Sequence, residues 1–162
     1  MTMAVLAWLV AIPLLGVLTG LRTMTPMAVL CWFAYRGDLP VGDTWASWTG
    51  TLTAAIIFTV LAAAEYVGDK LPRTPNRIAP FPLTLRLCFG GLVGAVVATG
   101  LDGSVIEGAL LGVGGALIGA FGGFLIRREL VEQLGCKDWH VAVAEDAIAV
   151  SCAILAMGVV TG

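Results

Sequence analysis

Long apolar runs alternate with short polar breaks along most of this chain, and their spacing predicts helices rather than strands. Met3 to Leu21 is apolar enough to span a bilayer, with Pro13 placed for a kink. The segment Gly20-Leu-Arg-Thr-Met-Thr-Pro26 then interrupts it with a charge, two hydroxyls and a proline. Met27 to Tyr35 is apolar again but about half the length a span needs. Two arrangements fit: one long broken helix with Arg22 near mid-membrane, or a full helix followed by a short tilted or re-entrant one. Further spans are expected at Thr51–Asp69, Leu83–Leu101, Val105–Ile126 and Val141–Val160. The pattern predicts an all-α, polytopic helical membrane protein: one domain over residues 1–162, with five full spans plus one short or re-entrant helix.

Composition agrees with that pattern. Mean hydropathy is +0.96, and the charged fraction of 12% is about half the ~25% of soluble proteins. Nine basic and eleven acidic residues leave no charge excess for nucleic acid. Cys31, Cys88, Cys136 and Cys152 have no C-x-x-C spacing, and a single histidine, His140, makes no bis-histidine haem pair. No cofactor is expected. The first apolar run has no basic n-region ahead of it, so it is expected to be retained rather than cleaved.

Charge bias sets an expected orientation. Lys70, Arg73, Arg77, Arg86, Arg127, Arg128 and Lys137 fall after the second and fourth spans, whereas the opposite loops hold only Arg36. The positive-inside rule then places loops 70–82 and 127–140 in the cytoplasm and the C-terminus outside, in a cell inner membrane. Putting Arg22 with the other basic residues favours the full-helix-plus-short-helix arrangement. Trp45 and Trp48, in the opposite loop, suit an interfacial belt.

This orientation gathers the candidate chemistry at one level. Glu65 and Asp69, four residues apart, share a helix face at the cytoplasmic end of the second span. Glu145 and Asp146 lie about a turn inside the start of the last one. Intramembrane carboxylates mark ion pathways by default, and these four offer oxygen ligands for a metal cation or a proton relay. They can equally pair with Arg22, Arg73, Arg77, Arg86 or Lys70 and simply tie helices together. Were the substrate anionic, Arg22, Arg73 and Arg77 are where it would dock.

Glycine forms a second pattern. Gly108, Gly112, Gly115, Gly119 and Gly122/Gly123 recur at steps of three or four, and Gly90 and Gly94 repeat the device. Bare helix faces let helices pack closely in lipid, within one chain or in a homo-oligomer. The breaks at Arg22–Pro26 and Arg73–Pro75, and the parallel between Gly16-x-x-x-Gly20 and Gly119-x-x-x-Gly123, raise the possibility of an internal repeat. No nucleophile stands near a base, so the chain is not expected to be an enzyme.

Taken together, residues 20–26, Asp-Lys-Leu-Pro-Arg-Thr-Pro-Asn-Arg (69–77), the Gly-rich fourth span ending in Arg127-Arg128, and Val-Ala-Glu-Asp-Ala-Ile-Ala (143–149) resemble an uncharacterised family of small bacterial integral membrane proteins, a domain of unknown function. The resemblance implies a membrane protein and no activity. Separately, Glu65-Tyr-Val-Gly-Asp69-Lys70 resembles the Glu-x-Gly-Asp-Lys motif of manganese and calcium cation/proton exchangers, with one residue inserted and Leu71 where Thr or Ser belongs. The expected function is that of a small transporter or channel, for a cation, divalent metals included, coupled to protons. The alternatives are an organic-anion transporter and a non-transporting scaffold, and the expected partners are the lipid bilayer and a small ion or solute.

Overall fold

The computed structural model describes residues 7–69, 79–132 and 138–162, and these are helical with no strand among them. A π-helical turn at Ala7–Ala11 leads into α1 (Ile12–Leu21), followed by α2 (Met24–Tyr35), α3 (Leu52–Gly68), α4 (Pro80–Gly100), α5 (Val105–Glu132) and α6 (Asp138–Thr161). The kink expected at Pro13 coincides with the change from π to α winding, where a missing N–H is easily accommodated.

The break between the first two helices is short. Arg22 leaves helical geometry for extended backbone (φ −137°, ψ 108°), and α2 starts two residues later. Pro26 falls in the first turn of α2, where it removes an N–H that would have no intrahelical partner. Pro80 and Pro82 begin α4 for the same reason, after an extended Ala79.

Glycine contacts give the helix directions. Gly16 lies against Gly112 and Gly20 against Ala116, Gly119 and Ala120, so α1 runs parallel to α5. Gly90 meets Gly112 and Ala116 while Gly94 meets Gly108, so α4 runs antiparallel to α5. Helix α3 is antiparallel to α2, with Trp32 Nε1 donating to Thr59 Oγ1 (2.9 Å) and Thr25 bonded to Tyr66 (2.6 Å). Helix α6 begins beside Arg22, where the Ala142 carbonyl lies, and also packs on the π turn at 7–11. Successive helices therefore alternate in direction. One end of the bundle holds Trp8, Gly103, Leu39 on Gly100, and Trp45 bonded to Thr99; the other holds the α1–α2 vertex.

This arrangement corrects the expectation of five full spans. Three helices, Pro80–Gly100, Val105–Glu132 and Trp139–Thr161, are long and apolar enough to cross a membrane, while Trp8–Leu21, Met24–Tyr35 and Leu52–Gly68 are shorter. The α1–α2 pair forms a V that enters and returns from one end: α1 packs mainly on α5 and α4, α2 on α3 and α6. At ~1.5 Å per residue the vertex, level with Ala120, lies roughly 22 Å along α5 from Val105.

Candidate functional site

The vertex needs polar partners because two helix ends are cut open inside the bundle. Helix α1 leaves carbonyls without intrahelical donors, and α2 leaves N–H groups without acceptors. Arg86, buried on α4, donates from Nη1 to the carbonyls of Gly20 (2.6 Å) and Leu21 (2.9 Å). Glu65, on α3, accepts from the backbone N–H of Thr23 at Oε1 (2.8 Å) and of Met24 at Oε2 (2.9 Å). A cation thus sits at a helix C-terminus and an anion at a helix N-terminus, each where the backbone dipoles favour it. The two side chains approach each other at 4.0 Å.

Arg22 occupies the break itself, and its side chain is completely buried. Its guanidinium is ion-paired with Asp69, which caps α3, and with two acids of α6: Asp146 Oδ1 lies 2.6 Å from Nε and Glu145 Oε2 lies 3.7 Å from Nη2. Nη2 also donates to the Ala142 carbonyl at 3.4 Å, and the guanidinium carbon lies 5.7 Å from the Tyr66 ring centroid. Arg127, from the last turns of α5, approaches Asp69 (3.9 Å) and Glu145 (3.6 Å). The side chains of Asp69, Glu145 and Asp146 keep 12–16% of their surface exposed. The carboxylates keep some exposed surface while the arginine they hold has none.

The expected site residues are therefore brought together in large part. Arg22, Asp69, Glu145 and Asp146 form one network, and Glu65 and Arg86 adjoin it at the two helix ends. Arg73 and Arg77 lie outside the described residues, as does Cys136. The expected metal set of Glu65, Asp69, Glu145 and Asp146 does not converge: among the described residues no three His, Cys, Asp or Glu side chains group as metal ligands. The reason is visible in the partners, because Glu65 is spent on backbone N–H groups and the other three turn to guanidiniums. Arg127, Tyr66 and Thr25 join the site without having been expected there. Arg127 had a signal: it lies four residues beyond Gly123, which continues the packed face of α5.

Apolar helices of this length, closed around a buried ion-pair network at a helix break, define the class as a helical protein of membrane type. The chain belongs to the family described as Domain of unknown function (DUF4126), whose model matches residues 9–159. No curated protein and no solved structure matches it, so the cation/proton-exchanger motif resemblance finds no counterpart there.

Proposed function

We propose that the chain is a small membrane transporter that moves a cation in exchange for protons, with the Arg22 network as its coupling site. The carrying observation is a fully buried arginine, at a helix break, held by carboxylates from two other helices. Ionisable groups are expensive inside a membrane and broken helices supply hinges there, so their coincidence at one vertex supports a moving part. Protonation of Asp69, Glu145 or Asp146 would weaken its hold on Arg22 and free the V to part from α3 or α6. The substrate is taken to be cationic because an anion docked on Arg22 would meet three carboxylates at the same place. The basic end of the bundle is assigned to the cytoplasm.

A structural reading has its own observation. Arg86 and Glu65 satisfy the cut helix ends, which any break of this kind requires even in a scaffold that transports nothing. Proton and cation flux in proteoliposomes separates the two readings, with Asp69→Asn and Asp146→Asn as variants checked for folding by gel filtration. Transport predicts cation-dependent proton movement in the wild type and the background leak of protein-free vesicles in folded variants. Absence of flux with every cation tried, together with variants that aggregate, would instead assign the network to holding helices.

A further inference from the structure

Among the described residues, α3 is the helix left at the edge of the bundle. It packs along α2 and the 3-10 turn at Ser47–Gly50, and it meets α4 through single side chains, Phe58 against Phe89 with ring centroids 6.2 Å apart and Glu65 toward Arg86. Its inward face is formed by Ala55, Phe58, Ala62, Glu65 and Asp69, at the steps of three and four that share one side of a helix. The other side carries Ile56, Ile57, Val60, Ala63 and Ala64, all exposed, with Val60 at 61%. No acidic or basic residue stands between Leu52 and Ala64.

Lipid is a poor cover for that face because the helix is short. The 17 residues of α3 reach about 25 Å at ~1.5 Å per residue, and the uncharged part, 52–64, reaches only about 20 Å. The hydrocarbon layer of a bilayer is about 30 Å thick. Helices α1 and α2 are shorter still, but most of their residues are buried, so α3 is where the deficit meets the membrane. On the other sides stand α4, α5 and α6, with 21, 28 and 24 residues. A short apolar helix is accommodated by thinning the bilayer or by associating with other protein. Two copies placed α3 to α3 withdraw both short faces from lipid at once.

We infer that the chain pairs with a second copy of itself through the exposed face of α3, about a twofold axis along the membrane normal, and that the short length of this helix drives the pairing. An interface of this symmetry must complement itself. The face does so because it is uncharged: Glu65 lies roughly 140° around the helix from Val60, and Asp69 roughly 180°, so the acids of the two copies stay apart. Ile56, Ile57 and Val60 are β-branched and stiff, so they lose little rotamer freedom on docking. Ala63 and Ala64 let the backbones approach, and close packing is what drives helix association in lipid. The inference does not depend on transport, and it uses a surface other than the glycine faces, which α1, α4 and α5 occupy among themselves.

Single-molecule photobleaching of fluorescently labelled protein in liposomes measures the monomer–dimer equilibrium directly. Dimerisation is expected to be roughly tenfold tighter in dieicosenoyl-phosphatidylcholine than in the thinner dimyristoleoyl lipid, because the longer chains increase the mismatch. Ile57→Ala combined with Val60→Ala, at exposed positions, should weaken it at least roughly tenfold, whereas Ile118→Ala on the exposed face of α5 should leave it unchanged. Should the double variant fail to fold, oxidative cross-linking carries the test in a background lacking the native cysteines: Val60→Cys is expected to give dimers and Ile118→Cys is not. Monomers at every protein density would overturn the inference and leave α3 to lipid. Equal dimerisation in the two lipids would overturn it too, as would a double variant that pairs like the wild type or cross-linking at Ile118→Cys in preference to Val60→Cys.

Discussion

Arg22 is the most demanding residue in the chain. A guanidinium with no exposed surface is tolerated only where charge and geometry are both supplied, and here Asp69 and Asp146 reach it from different helices. Removing one partner strands the others. Arg22→Met is expected to cost about 3–5 kcal/mol in an unfolding titration, the usual penalty for breaking a buried pair. Adding Asp146→Asn to that variant should cost less than it does alone, because the ion pair the two residues share has already been broken. Strict additivity, within roughly 0.5 kcal/mol, would mean that the two residues are not coupled. Much of this was legible in residue type and spacing: an arginine in an apolar run, and acids four apart or adjacent near helix ends. What spacing could not convey is the division of labour. Glu65 and Asp69 share a face, yet one caps the N–H groups of α2 and the other meets Arg22, a distinction set by how the V packs against α3.

At the scale of elements, the glycines sort the helices. A Cβ on Gly94 would run into the Gly108 carbonyl, and one on Gly20 into the carbonyl of Ala116, so both positions require bare backbone for the close approach of α4 and α1 to α5. By contrast, Gly114 and Gly122, on the same helix α5, have nothing within 4 Å of that site. Gly94→Ala and Gly20→Ala should each destabilise the fold by about 1–3 kcal/mol through overpacking. Gly114→Ala and Gly122→Ala should be neutral or slightly stabilising, since alanine is the better helix former. Thermal unfolding in detergent measures all four, and equal effects across the two pairs would contradict the packing described. The step of three and four in the sequence announced a packed face but not its partner: residues 108 and 112 serve α4, 115 and 119 serve α1, and 112 serves both. An oligomer, if formed, would have to use other surfaces than these. The length of the spans was the least legible feature. Hydropathy runs smoothly from residue 3 to 35 except for one seven-residue break, so only the charge bias favoured a return there, and the helix contacts show where the chain turns back.

For the whole molecule, the V decides on which side each loop lies. Had α1 and α2 made one broken span, the loop after Tyr35 would emerge at the opposite end from Trp8. Instead Leu39 packs on Gly100, Trp45 donates to Thr99, and Trp8 lies against Gly103, so these segments share one end. Arg127, Arg128 and the start of α6 lie toward the other. The positive-inside rule is what assigns that end to the cytoplasm in the proposed reading. Single cysteines introduced at Asp43, Ser104 and Glu132 in a background lacking the native cysteines test it, using a membrane-impermeant maleimide on intact spheroplasts. Asp43→Cys and Ser104→Cys should label, and Glu132→Cys should label only after lysis. Labelling of Asp43→Cys and Glu132→Cys from the same side would require an odd change in the number of crossings between them, which the alternating helices do not allow. Reversal of all three labels together would keep the fold but place the vertex, and with it the mouth of the Arg22 network, on the outer face.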